Sequence, residues 1–258
     1  MSNPVIFAGA GPGDPELITL KARNALAAAD IIIYAGSLVP RALLTWKKES
    51  AETVNSAGMT LDSIVSLIAA RYRDEKKIVR LHTGDPSLYG AIREQIQALE
   101  DLSIPCRVIP GVTAAFGAAA AMKMEFTLPE ITQSLIFTRI SGRTRVPELE
   151  SLDSLAAHKT SMAIYLSMDH VDRVEKILSD HYGEDSLAAV AFKVSHPEEK
   201  IITTLIKNLS KAVKDQGIDR QAVILVGRAV DACAGDLSAK KSRLYDAAFS
   251  HGFRTSDR

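Results

Sequence analysis

The start of the chain combines a short apolar run, a glycine turn and a helix start. Residues 5–9 predict a buried strand, and Asp14 followed by Pro15 is typical of a helix N-cap and first helical position. The same order returns at Gly84-Asp85-Pro86 and, without the Asp-Pro pair, at residues 110–113. Because strands that alternate with helices in this way need right-handed crossovers, this part of the chain predicts a mainly parallel sheet.

The glycine turn itself permits several interpretations. The dinucleotide fingerprint Gly-x-Gly-x-x-Gly, begun at Gly9 and Gly11, needs a third glycine where the chain has Asp14. A P-loop needs Gly-Lys followed by Ser or Thr, and the carboxylate of Asp14 disfavours a phosphate at the helix start. Two interpretations stay open: a simple connection from strand to helix, or a turn that lets a ligand approach the backbone at the carboxyl ends of the strands.

The order of strands and helices predicts an α/β protein with two domains. The first domain spans residues 1–124, a linker follows at 125–133, and strands return at a different spacing over 134–231. The second sheet is expected to be mixed, because only residues 197–199 separate two strands that would form an antiparallel hairpin. Residues 232–258 are interpreted as a polar tail.

Composition and charge disfavour several functional classes. The chain has 31 Lys and Arg against 31 Asp and Glu, so no overall field would attract nucleic acid or an anionic membrane. No apolar run approaches the roughly 18 residues of a membrane helix, and no secretion signal is expected. Cys106 and Cys233 are too few for a disulfide framework, which favours a reducing cytoplasm. The six histidines lack a spacing such as His-Glu-x-x-His, so no metal is expected.

Residues 138–148, TRISGRTRVPE, contain the densest arginine cluster of any predicted loop. Guanidinium groups bind carboxylates through two parallel hydrogen bonds, so this loop suits a polycarboxylated ligand, with a solvated surface loop as the equal alternative. No Gly-x-Ser-x-Gly motif supports a serine hydrolase, and His82 is interpreted as packed at a strand end. No general base is assigned, and the catalytic residues stay unknown.

Six segments, in order, resemble the tetrapyrrole methyltransferase family: GAGPGDPELIT, ADIIIYAGSLVP, LHTGDPSLYG, IPGVTA, TRISGRTRVPE and SHPEEKII. The resemblance covers nearly the whole chain. It implies two α/β domains with S-adenosylmethionine in the cleft between them, S-adenosylhomocysteine as product, a polycarboxylated tetrapyrrole substrate and a homodimer. Within the family, YAGSLV, SGRT and SRLYD are most similar to members that methylate C-11 of precorrin-4 in cobalamin biosynthesis.

The resemblance also implies which residues contact the ligands. Cofactor contacts carried over from the family's motifs are Pro12, Gly84, Asp85, Leu88, Thr113, Ala114, Leu166, Val194 and Ala222. Uroporphyrinogen-type relatives have glycine in place of Val194, so the valine is expected to offer only its backbone. The expected substrate contacts are Ser37, Arg139 and Arg143.

Two departures from the uroporphyrinogen-III methyltransferases bear on the substrate. Ala35 stands where those relatives have an acidic residue, and residues 56–58 offer no counterpart to their lysine. Their proposed acid–base pair therefore cannot be transferred, which favours C-11 methylation. The alternatives are methylation of another precorrin position or of uroporphyrinogen III, an RNA methyltransferase of the same fold, and a non-catalytic ligand-binding module.

Overall fold

The computed structural model describes residues 3–36, 39–235, 242, 249–250 and 252–255. Within these residues the chain forms two compact units. The first runs to Gly117 and also includes Lys193–Glu198, whereas the second contains Ala118–Phe192 and resumes at Glu199. The predicted domain limits at residues 124 and 134 stay predictions. Much of the predicted tail, including most of SRLYD, lies outside the described residues.

The first unit is built on a parallel sheet. Its strands are β1 (Val5–Gly9), β2 (Ile31–Tyr34), β3 (Glu52–Asn55), β4 (Ile78–His82) and β5 (Cys106–Ile109). They pair in the order β3-β2-β4-β1-β5, and every pair is parallel. The central strands are buried on both faces, as continuous apolar runs require. The predicted parallel sheet is confirmed.

Helices cover both faces of this sheet. They are α1 (Leu20–Ala28), α2 (Leu61–Arg73), α3 (Ile92–Asp101) and α4 (Ala114–Ala121), the last of which contains the unit boundary. Leu26 of α1 packs with Leu81 on one face, and Ile68 of α2 packs with Phe7 on the other. Strands are added on both sides of β1, and right-handed crossovers then place helices on opposite faces. All loops that follow these strands leave from one edge.

The second unit has a mixed sheet. Its strands are β6 (Leu135–Arg139), β7 (Ser161–Tyr165), β8 (Leu187–Phe192), β9 (Lys200–Leu205) and β10 (Ala222–Val226), paired in the order β6-β7-β10-β8-β9. Only β6 and β7 run parallel, and β8 and β9 form the predicted antiparallel hairpin. The helices are α5 (Leu152–Ala156), α6 (Val171–Tyr182), α7 (Leu209–Asp215) and α8 (Arg228–Cys233). No described helix is long and apolar enough to span a membrane.

The first helix begins later than the sequence predicts. The helical spacing of Leu17, Leu20 and Leu26 predicts a single helix over residues 16–29, whereas a 3-10 turn at Pro15–Leu17 precedes α1. The Asp14 carboxylate accepts the N–H of Glu16 (2.8 Å) and so caps the short turn. Thr19 is the cap of α1 itself, since its hydroxyl accepts the N–H of Ala22 (3.2 Å). The prediction of one continuous helix is wrong because the stretch contains two cap residues.

Candidate active site

Loops that follow β1, β4 and β5 meet at the carboxyl edge of the first sheet. The N–H of Gly84 donates to the carbonyl oxygen of Gly11 (2.8 Å), and the N–H of Gly11 donates to that of Gly84 (3.2 Å). A Cβ on Gly9 would lie 2.6 Å from both Gly111 Cα and Gly84 O, which backbone atoms cannot relieve. The glycines of the repeated turns are therefore the points at which these loops touch.

The carboxylate of Asp85 joins two of these loops. Its Oδ1 accepts the N–H of Ser87 (2.7 Å) and its Oδ2 accepts the N–H of Gly111 (2.9 Å). Charge-assisted hydrogen bonds of this kind are stronger than neutral ones. Gly84 takes a left-handed φ of 58°, and a Cβ there would lie 3.7 Å from the Cα of Thr113. A methyl group on Gly84 would thus fill the gap between Gly84 and Thr113.

The turn after β1 is held by Lys193–Glu198, which we call the returning loop because it belongs to the first unit. The N–H of Asp14 donates to Oγ of Ser195 (2.9 Å). A Cβ on Gly13 would lie 2.6 Å from the carbonyl oxygen of Val194. Lys193 and Ser195 both have left-handed φ angles, 45° and 59°. Such conformations persist only where surrounding contacts hold them, so the loop is fixed against the turn.

Helix α4 packs its glycine against two of the predicted cofactor contacts. A Cβ on Gly117 would lie 2.7 Å from Cγ1 of Val194 and 3.2 Å from Cγ of Pro12. Both Val194 and Pro12 are buried. The side chain of Val194 is therefore taken up by packing, and its contact with the cofactor stays a prediction.

The predicted contacts of the second unit lie at one edge of its sheet. Continuing the antiparallel register of β7 and β10 sets Leu166 opposite Ala222. Leu166 is 69% exposed and has a φ of 50°, which is unusual for a bulky residue. The buried hydroxyl of Ser167 follows it, accepts the N–H of Ile140 (3.1 Å) and donates to the carbonyl oxygen of Tyr165 (2.5 Å). Ser167 thus ties the ends of β6 and β7 together beside Leu166.

Residues 138–148, which we call the arginine loop, begin at the end of β6. Two arginines of this loop, Arg139 and Arg143, differ in their contacts. The guanidinium of Arg139 donates to the carbonyl oxygens of Thr144 (3.1 Å) and Arg145 (3.0 Å), so it holds the loop closed. Arg143 is exposed to solvent. Of the two arginines predicted to contact the substrate, Arg139 is engaged by its own loop and Arg143 is exposed.

A buried arginine lies near the end of β4 and is not among the residues predicted from the sequence. Arg80 is 6% exposed, and its Nε donates to Oε1 of Gln95 (3.1 Å) while its Nη1 donates to the carbonyl oxygen of Ile33 (3.3 Å). Burial lowers the pKa of this guanidinium to about 10. The signal was present in the sequence, because an arginine inside an apolar strand must have its charge satisfied.

The imidazole of His82 is buried beside this arginine. Its ring stacks on Phe7 with centroids 5.8 Å apart, and its buried Nε2 has no hydrogen-bond partner among the described residues. Burial, with a further contribution from the charge of Arg80, lowers the pKa of His82 to about 3. The imidazole is therefore neutral near pH 7.

Residues 4–210 match the family model described as Tetrapyrrole (Corrin/Porphyrin) Methylases. The chain belongs to this family. The matched residues of the methylase include the loops after β1, β4 and β5, the returning loop and the arginine loop.

Individual relatives agree with the family assignment. The methylase is 46% identical over 253 residues to the cobalt-precorrin-4 C(11)-methyltransferase of Methanocaldococcus jannaschii, covering 98% of this chain and 96% of the relative. The solved structure of a cobalamin biosynthetic enzyme, cobalt precorrin-4 methyltransferase CbiF, is 44% identical with a TM-score of 0.86, covering 88% and 96%. Uroporphyrin-III C-methyltransferase of Thermus thermophilus, complexed with S-adenosyl homocysteine, shares the fold: TM-score 0.72, 22% identity, 89% and 94% covered.

The structure of the methylase brings together part of the predicted site. Pro12, Gly84, Asp85, Thr113 and Val194 lie in the interlocked loops of the first unit. Leu88 follows Asp85 in the second of these loops, where its N–H donates to the Asp85 carbonyl oxygen, and Ala114 begins α4. Ser37 lies outside the described residues. The described part of the chain holds no cluster of His, Cys, Asp or Glu that could bind a metal ion.

Proposed function

We propose that this methylase transfers the methyl group of S-adenosylmethionine to C-11 of precorrin-4 or cobalt-precorrin-4 in cobalamin biosynthesis. The observation that carries the proposal is its nearly full-length similarity to a cobalt-precorrin-4 C(11)-methyltransferase. The interlocked glycine loops are consistent with it, because ligands of parallel α/β sheets bind beyond the carboxyl ends of the strands.

The loops of the first unit fit a cofactor that is held mainly through backbone groups. Gly84 and Thr113 face each other across the space of one side chain, and both oxygens of Asp85 are already engaged. The residues proposed to hold S-adenosylmethionine are Pro12, Gly84, Asp85, Leu88, Thr113, Ala114, Leu166, Val194 and Ala222. When bound, the cofactor supplies a methyl group already activated by its sulfonium. The predicted cleft between the domains stays a prediction.

The contribution of the chain is chiefly alignment. The carbonyl oxygens of Gly11 and Gly84 each accept one N–H in their bridge and keep a second lone pair, which favours a cationic ligand nearby. Positioning two reactants in a near-attack geometry supplies about 7–11 kcal/mol in favourable systems. A rigid set of loops suits this role, and no general base is assigned.

We further propose that Arg143 binds a peripheral carboxylate of the tetrapyrrole while Arg139 shapes the loop that presents it. Arg143 is exposed, whereas Arg139 donates to carbonyl oxygens of its own loop. A guanidinium held by its own loop has fewer donors left for a substrate. Ser37 remains a predicted substrate contact.

The test of the main proposal is incubation with S-adenosylmethionine carrying a ¹³C-methyl group, with cobalt-precorrin-4 and metal-free precorrin-4 in parallel. We expect one added methyl by mass spectrometry, located at C-11 by NMR. A methyl at another carbon, or transfer to uroporphyrinogen III instead, would contradict the C-11 assignment. Calorimetry with S-adenosylhomocysteine is run beside it, and an absence of binding would leave only a non-catalytic ligand-binding module.

Two variants sharpen this test. Gly9→Ala places a Cβ 2.6 Å from backbone atoms of two neighbouring loops, whereas Gly58→Ala places one with no atom of the described residues within 4 Å. We expect Gly9→Ala to lose cofactor binding and Gly58→Ala to retain it. Equal binding by both variants would show that the loop contacts do not shape the cofactor site.

Homodimer formation is proposed from the family resemblance alone. Sedimentation equilibrium of the purified chain tests it, and a monomer at micromolar concentration would contradict it. A cytoplasmic location is likewise proposed, on the basis of the low cysteine content.

A further inference from the structure

Arg80 and His82 lie on the same face of β4, because side chains alternate along a strand and Leu81 lies between them. This is the face covered by α2 and α3. His82 is the last residue of β4 and pairs in register with Gly9 of β1. On the other side of His82, continuing the pairing of β2 with β4 by one residue sets Ala35 opposite His82. The neighbours of His82 along this row therefore carry either no side chain or a single methyl group.

The charge of Arg80 has no counter-charge among the described residues packed on this face. The acidic residues of α2 and α3 are all exposed: Asp62, Glu94, Glu100 and Asp101. Neutral acceptors, Gln95 Oε1 and Ile33 O, are the partners of the guanidinium. An uncompensated buried charge is costly, so a group that supplies the missing negative charge would be bound firmly.

A purely structural role accounts for part of this arrangement. Gln95 accepts from Arg80 and donates to the carbonyl oxygen of Ala91 (3.0 Å), whose φ of 48° it helps to hold. These hydrogen bonds account for the Nε and Nη1 donors of Arg80. They do not explain why the Nε2 of His82, in a residue only 7% exposed, has no partner in the part of the chain that the structure describes. Buried polar groups are nearly always hydrogen-bonded, and an exception requires a cause.

We propose that Arg80 and His82 form a carboxylate-binding site at the carboxyl edge of the first sheet. A carboxylate would accept a hydrogen bond from Nε2 of His82 and supply the charge that Arg80 lacks. The inference rests on the proposed function, which provides two sources of this chemistry: the side chains of the tetrapyrrole and the methionine part of the cofactor.

The first measurement uses the wild-type protein labelled with ¹⁵N-histidine. The imidazole signals of His82 are followed while S-adenosylhomocysteine is added, and then cobalt-precorrin-4. We expect the Nε2 resonance to move to that of a hydrogen-bonded donor with one of the two ligands. If S-adenosylhomocysteine moves it and the decarboxylated analogue does not, the cofactor is the source. If only the tetrapyrrole moves it, a ring substituent is the source.

Variants provide an independent measurement. His82→Phe keeps a ring against Phe7 without nitrogen atoms, and Arg80→Met keeps an unbranched chain without charge. Each should weaken the ligand identified by NMR about tenfold or more, either as Kd for S-adenosylhomocysteine or as KM for cobalt-precorrin-4. Affinity for the other ligand should stay the same. The matched control is His158→Phe at an exposed position, which should bind both ligands normally.

The proposal is overturned if neither ligand moves the His82 resonance. Unchanged affinities in folded His82→Phe and Arg80→Met would overturn it as well. If these variants do not fold, the wild-type NMR titration alone decides. Failure of the proposed function would show separately, as wild-type protein that does not bind S-adenosylhomocysteine or does not transfer a methyl group.

Discussion

Replacing Gly117 with alanine is expected to destabilise the protein, although the residue lies within α4. Alanine in a helix interior is favoured over glycine by about 0.8–1.0 kcal/mol. Here the new methyl would lie 2.7 Å from Cγ1 of Val194 and 3.2 Å from Cγ of Pro12. Overpacking of a filled site costs about 1–3 kcal/mol. Because the Pro12 ring cannot rotate away, we expect a net loss of about 1 kcal/mol.

The free energy of unfolding, measured with urea, tests this prediction. Val194→Ala removes the atom that the new methyl would meet, so the double variant Gly117→Ala/Val194→Ala should be more stable than the two single effects predict. A coupling of about 1 kcal/mol or more is expected for residues in contact. Gly58→Ala is the control, since its Cβ would meet none of the described atoms within 4 Å. A Gly117→Ala variant more stable than wild type, with effects that add, would refute the reasoning.

Four further predictions follow from contacts in the two units. Asp85→Asn leaves one of two backbone N–H groups without an acceptor, so urea unfolding should show a loss of about 1–3 kcal/mol, and an unchanged midpoint would contradict the double contact. Arg143→Ala should raise the tetrapyrrole KM without changing Tm or the cofactor Kd, whereas Arg139→Ala should also lower Tm; the same behaviour in both variants would contradict their different roles. The pKa of His82 is about 3 in the folded protein against about 6.5 unfolded, so its contribution to stability is complete above pH 6.5 and is lost as the pH falls towards 3. Between pH 6.5 and 5, urea unfolding should show about 1.6 kcal/mol more loss in wild type than in His82→Phe, and equal losses would be inconsistent with a neutral buried imidazole. Burial raises the pKa of the Cys106 thiol to about 11, so iodoacetamide at pH 8 should modify it far more slowly than a free cysteine, and a similar rate would argue against that burial.

The fold follows from local sequence patterns to a large extent. The apolar run at β2 is continuous because a parallel strand covered on both faces has no polar side, and such runs predict strands well. The start of α1 was predicted poorly, since Asp14 and Thr19 are both good caps. Local sequence does not decide which of them begins the α-helix and which begins a 3-10 turn.

The site was predictable only in part. Glycine at position 9 predicts a turn, yet only the structure shows that a Cβ there would meet Gly111. The hydrogen bond from Asp14 to Ser195 joins residues 181 positions apart, and the periodic pattern of apolar residues in a sequence does not indicate such a contact. His82 was correctly placed at a strand end, but whether a described residue bonds its Nε2 depends on groups from several elements.

The returning loop has a consequence for how the protein is made. All five strands of the parallel sheet have been synthesised when Gly117 leaves the ribosome. Ser195, whose hydroxyl accepts the N–H of Asp14, has not yet been synthesised at that point. At roughly 5–20 residues per second, Glu198 follows about 4–16 s later. During that interval the first turn of the chain stands incomplete, and most of the second unit emerges before it closes. Asp14 therefore waits for a hydrogen-bond partner that is synthesised 181 residues after it.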